Sequence, residues 1–196
     1  MEFIEGRDLS SLLRDGRPPR DQAVDIARQI CAGLAAVHER NVLHRDLKPS
    51  NVMIDERGVA RITDFGVAAR LHEPGGARGR EGTPLYMSPE QLAGEAASPQ
   101  SDIYALGLVL YELFAGRRPH TGKTPAELRD ARDRPLPPLG DVAPDIEAAL
   151  DELTRRCLAR DPAHRPGSVR AVADALPGGD RFRAAAAAAQ ARADRI

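Results

Sequence analysis

The sequence predicts a mainly α-helical α+β domain in which a small β-hairpin sheet sits beside one loop. Three observations predict it. Apolar residues recur at three- and four-residue spacing over long stretches, the mark of helices with one buried face. Three short β-prone pieces, Val42-Leu43, Val52-Met53-Ile54 and Ala60-Arg61-Ile62, lie close together, and the turn-forming stretch Asp55 to Gly58 joins the last two. Proline- and glycine-rich connectors separate the helical patterns.

Taken in order, Leu9 to Asp15 forms a short helix, and Gly16 to Pro19 breaks it ahead of Asp21, the expected N-cap of a long helix running to about Arg40. Val24, Ala27, Ile30, Cys31, Leu34 and Val37 fall on one stripe of that helix, which buries it. The three strand pieces follow, so the segment from His44 to Asn51 is a loop between strands. Val67 to Gly82 is rich in Gly, Arg and Glu without periodicity and reads as a surface loop; its glycines lack phosphate-cradling spacing. Helical patterns resume at about Ser101–Phe114, Pro125–Ala131, Pro144–Leu158 and Ser168–Leu176. Residues 178–196 form an Ala/Arg-rich tail with helix propensity but no amphipathic face, expected to be a frayed helix or disordered.

Bulk properties narrow the function. The 196 residues suffice for one well-filled core, and 42% hydrophobic content with a net charge of −1 fits a soluble globular domain. Twenty-eight Lys plus Arg balance 29 Asp plus Glu, so no nucleic-acid partner is expected. Cys31 and Cys157 lie in apolar helical patterns and are expected to be reduced and buried, in a cytoplasmic setting. The acidic N-terminus does not read as a targeting segment. The apolar run Ile103–Phe114 is too short to span a bilayer and contains Glu112, which makes it a buried helix. His38, His72, His120 and His164 show no metal-ligand spacing.

Chemistry concentrates in three ordered motifs. His44-Arg45-Asp46-Leu47-Lys48-Pro49-Ser50-Asn51 is followed by Asp64-Phe65-Gly66 and later by Ser88-Pro89-Glu90. A hydroxyl nucleophile needs a carboxylate beside it, a transferred phosphate needs positive charge, and magnesium needs hard oxygen ligands. Asp46, Lys48, Asn51 and Asp64 are residues of those types in that order. From Met1 to about Leu176 the sequence resembles the protein kinase family, most closely the bacterial eukaryote-like Ser/Thr kinases.

The resemblance implies a kinase-like C-terminal lobe at 9–177, a hinge at 1–8, and transfer of the ATP γ-phosphate to a Ser or Thr of a protein substrate, with Mg2+ or alternatively Mn2+. It makes Asp46 the catalytic base, Lys48 the cation on the transferring phosphate, and Asn51 and Asp64 the metal ligands. The Glu2 carbonyl and the Ile4 amide would hold adenine, Asp8 would reach the ribose, and Met53 would form the pocket floor. Gly82 to Glu90 would dock the substrate, with Thr83 near Asp46 and Lys48 selecting Ser or Thr acceptors. Glu90 and Arg165 would form a buried ion pair, and Asp102 would tie the catalytic loop to the core.

Two departures shape the expectation. The family's glycine-rich phosphate clamp, strand lysine and helix glutamate are missing, and the only lysine besides Lys48 is Lys123, far downstream. The chain is therefore expected to start at the hinge with the N-terminal lobe absent, that lobe being supplied by upstream sequence; the alternative is a non-catalytic pseudokinase or scaffold module. The stretch between Asp64 and Thr83 contains no Ser, Thr or Tyr, so activation through hydroxyl phosphorylation there is not expected, although Arg45 occupies the position such a phosphate usually neutralises.

Overall fold

A computed structural model of the chain describes residues 6–64, 69–70, 84–120, 122, 124–132, 134 and 136–178. Their order is β1 (Gly6–Asp8), α1 (Leu9–Asp15), α2 (Arg20–His38), β2 (Val42–Leu43), β3 (Val52–Asp55), β4 (Ala60–Ile62), β5 (Ala69–Arg70), α3 (Pro89–Leu92), α4 (Pro99–Ala115), α5 (Pro125–Arg132), α6 (Leu139–Val142), α7 (Ala148–Cys157) and α8 (Val169–Ala175). Two antiparallel sheets result, one ordered β1-β3-β4 and one pairing β2 with β5. The β3–β4 hairpin turns as its sequence requires: Asp55 Oδ1 accepts from the Arg57 and Val59 amides at 2.9 Å, and Gly58 takes φ 78°.

Every residue of α4 from Ser101 to Phe114 is buried, as a helix apolar on nearly every side demands, and its polar Ser101, Asp102 and Glu112 are buried with their hydrogen-bond partners. Ser98 and Ser101 cap its start reciprocally, and Gly116, at φ 69°, ends it in the left-handed conformation that glycine adopts without penalty. Around α4 pack α2, α6 and α7. α2 turns Val24, Ala27, Ile30, Cys31 and Leu34 inward, with Val37 only half-buried. Its Gln29 Oε1 accepts from the Ala60 amide at 2.7 Å, which hooks the hairpin onto the helix. Gly107 lets α7 come close, since a Cβ there would lie 2.7 Å from the Cys157 Cβ. Both cysteines are reduced and buried; burial pushes the Cys31 thiol up and the Cys157 thiol up to about 12. No helix among the described residues is long and apolar enough to cross a membrane.

A second tie joins α3 to the C-terminal helices. Arg165 meets Glu90 through two parallel hydrogen bonds of 2.7 and 2.8 Å, its side chain 0% exposed. Its remaining donors reach the carbonyls of Ala159, Gln100 and Arg160, and its guanidinium lies 4.9 Å from the Tyr104 ring centroid. Glu90 also accepts from the Ser101 hydroxyl at 2.9 Å. Burial opposes ionisation of Glu90, but the Arg165 hydrogen bonds and charge, together with hydrogen bonds from the backbone and Ser88, outweigh it and hold the carboxyl below its ordinary range.

The structure corrects several boundaries. Asp21 is not the N-cap of α2: Pro19 is, its carbonyl accepting from Ala23 at 2.9 Å, and Asp21 sits in the first turn beside Arg20. Two successive prolines preset the backbone and leave no room for a later start. Residues 144–147 are not helical. Ile146 donates to the Ala143 carbonyl in a turn, Glu147 is extended, and α7 begins only at Ala148. The short α3 and α6 and the strand β1 were unexpected, and β5 places a two-residue strand inside the segment expected to be loop. The tail from 179 onward lies outside the described residues.

Gly107→Ala should lower stability by about 1–2 kcal/mol in denaturant unfolding, because overpacking against Cys157 and Leu158 exceeds the gain in helix propensity. Glu90→Ala should cost about 3–5 kcal/mol by stranding a fully buried guanidinium. Since the Glu90 carboxyl titrates lower folded than unfolded, its contribution is complete above the ordinary glutamate range and drains away as pH falls through the depressed folded value. The stability gap between wild type and Glu90→Gln should accordingly shrink on acidification, measured as midpoint differences at successive pH values.

Candidate functional site

The loop from His44 to Asn51 hangs from a single carboxylate. Asp102, in the first turn of α4, accepts the His44 backbone amide at 2.8 Å and the Arg45 amide at 2.9 Å. His38, the last residue of α2, places Nε2 2.8 Å from the same Asp102. The carboxylate is 2% exposed, so these donors substitute for the water it lost. Arg45 is held at φ 68°, a left-handed conformation that costs a non-glycine residue on the order of 1–2 kcal/mol. Buried His44 turns Nε2 to the Thr63 carbonyl at 3.2 Å.

Asp46, Lys48 and Asn51 then converge. Lys48 Nζ lies 2.6 Å from Asp46 Oδ2, and Asn51 Nδ2 donates to the Asp46 carbonyl at 2.9 Å and to Oδ2 at 3.3 Å. Pro49 starts a single 3-10 turn that brings Asn51 back over Asp46. With its amide nitrogen committed inward, Asn51 keeps its amide oxygen for another partner. The Thr63 amide donates to the Asn51 carbonyl at 2.9 Å, and the next residue, exposed Asp64, adopts φ 57°. One hydrogen bond thus ties the backbone of Thr63, the residue before Asp64, to that of Asn51. A carboxylate and an amide oxygen are hard donors suited to magnesium.

Asp8 and Met53 also meet, as directly paired residues of β1 and β3. Met53 is half-buried on the sheet side opposite Val52 and Ile54. Asp8 already caps α1, accepting from the Ser11 amide and hydroxyl, each at 2.8 Å. Burial opposes its ionisation, yet the Ser11 hydrogen bonds prevail and hold the carboxyl low. Glu2, Ile4 and Thr83 lie outside the described residues.

Ahead of α3, Pro84–Tyr86 forms a 3-10 turn, and Ser88 caps the helix with Gln91 in reciprocal hydrogen bonds. The Tyr86 hydroxyl donates to buried Glu112 at 2.6 Å; burial and that carboxylate push its phenol up. Arg45 makes no ion pair among the described residues. Sequence reading missed His38, Glu112 and the arginines of α5 as parts of this region. His38 stands 64 residues from Asp102, and no local spacing signals such a pair.

The protein kinase domain family model matches residues 1–176. The serine/threonine-protein kinase PknA of Corynebacterium glutamicum is 42% identical over 168 residues, covering 84% of this chain and 35% of that protein. The kinase pkn2 of Myxococcus xanthus is 40% identical over 189 residues, covering 90% and 22%. PknB of Mycolicibacterium smegmatis is 35% identical over 173 residues, covering 84% and 27%. The chain therefore spans about a third or less of the length of these curated relatives. Because the match runs through every described element rather than one loop, the chain belongs to the protein kinase domain family.

Proposed function

We propose that this chain is the large lobe of a cytoplasmic protein serine/threonine kinase, which transfers the ATP γ-phosphate to a Ser or Thr hydroxyl of a protein substrate. In this reading residues 9–177 form the lobe, 1–8 a hinge segment and 178–196 a tail. The observation that carries this reading is the convergence of Lys48 and Asn51 on the Asp46 carboxylate. Relatives with serine/threonine-kinase names support it.

Asp46 receives the proton of the substrate hydroxyl and orients its oxygen. Lys48, held at 2.6 Å by Asp46, offsets the charge gathering on the transferring phosphoryl group. The rigid loop supplies this arrangement before substrate arrives, because Asp102 fixes the backbone that carries it. Asn51 and Asp64 would hold Mg2+, which when bound neutralises the phosphate oxygens. Met53 would lie under the adenine and Asp8 beside the ribose, with Glu2 and Ile4 on the base edge and Thr83 near the acceptor. Asp8 could serve the ribose only with oxygen lone pairs not used in capping Ser11.

In the full-length protein, Asp46→Asn should reduce phosphate transfer by about 10²–10⁴-fold. Transfer equal to wild type would remove Asp46 from the mechanism. Asn51→Ala and Asp64→Asn should each raise the Mg2+ concentration for half-maximal activity by about tenfold, the effect of losing one ligand worth about 1.4 kcal/mol. A magnesium titration curve superposing on wild type would overturn the ligand assignment.

A further inference from the structure

We infer that Arg132, in the last turn of α5, is a positioning residue that sets the shape of the peptide-docking segment. The inference rests on the phosphotransfer reading above. Arg132 Nη2 donates to the carbonyls of Pro84 and Leu85, each at 3.1 Å. Those carbonyls belong to the 3-10 turn that leads into Ser88 and α3. The guanidinium lies 5.5 Å from the Tyr104 ring centroid, on a side chain already contacted by Arg165. Among the described residues no carboxylate bonds to Arg132, and its buried Nε and Nη1 find no acceptor there. An arginine placed for an ion pair would have a carboxylate; this one is committed to main-chain oxygens and an aromatic ring. Its charge is felt nearby, since burial together with Arg132 pushes the His120 imidazole down to about 4.

The surroundings make that hold consequential. Met87, Leu92 and Leu128 form a small cluster beside the main core, and Leu85 packs against both. Arg129 adds a hydrogen bond from Nη1 to the Leu92 carbonyl at 3.0 Å. The segment from Pro84 to Leu92 is therefore fastened to α5 by two arginines and one leucine plug. The catalytic loop hangs instead from Asp102. Loosening the α5 tie disturbs where the acceptor peptide lies and leaves the nucleotide side alone. Planarity matters as much as charge: a lysine offers no flat face to Tyr104 and no rigid fork.

The test uses the full-length protein with casein as the probe substrate, comparing wild type, Arg132→Ala and Arg132→Lys. Arg132→Ala should raise KM for casein about tenfold against at most a twofold change in KM for ATP, with Arg132→Lys recovering little of the loss. Hydrogen exchange should accelerate at 84–92 and not at 44–51. An unchanged KM for casein, or equal changes in both KM values with a general fall in Tm, would overturn the inference. Absence of transfer by the wild type would instead sink the phosphotransfer reading, and exchange at 84–92 would still decide whether Arg132 holds the segment.

Discussion

One buried carboxylate organises the site. Asp102 leaves water only because two consecutive backbone amides and the His38 ring replace the hydration it gives up. Its own backbone is rigid, since it opens a helix buried on every side. The loop that carries Asp46, Lys48 and Asn51 is thus fixed to a helix buried from Ser101 to Phe114. The left-handed Arg45 is the conformational expense of that attachment, and such backbone strain persists only where surrounding contacts over-determine it.

Around this attachment the fold divides its labour. The Glu90–Arg165 pair links α3 to the C-terminal region through charge and an aromatic face, while α5 reaches the preceding turn through neutral carbonyls. The catalytic loop and the docking segment also meet at the first turn of α4, where Asp102 holds the loop that carries Asp46 and Ser101 donates to Glu90.

Much of this was legible in the sequence, for reasons that differ by residue. α1 and the β3–β4 hairpin were readable because apolar spacing and the Asp55–Gly58 turn act locally. Asp46, Lys48 and Asn51 lie within six positions, so a loop that turns once at Pro49 brings them together. The Glu90–Arg165 pair was readable only through family resemblance, as 75 residues separate the partners. Pro144 misled because proline favours a helix start, whereas the Ile146 turn delays α7. The α5 arginines carried no signal, since a side chain donating to a distant carbonyl leaves no complementary residue in the sequence to match.

The two cysteines have a practical consequence. Each is walled in by helices, and a thiol so reluctant to ionise is a poor nucleophile. Electrophiles and mild oxidants will pass over these thiols in the native fold, and alkylation of them will report only on molecules that have come apart. The chain thus carries its own chemical gauge of integrity, without any label having been added.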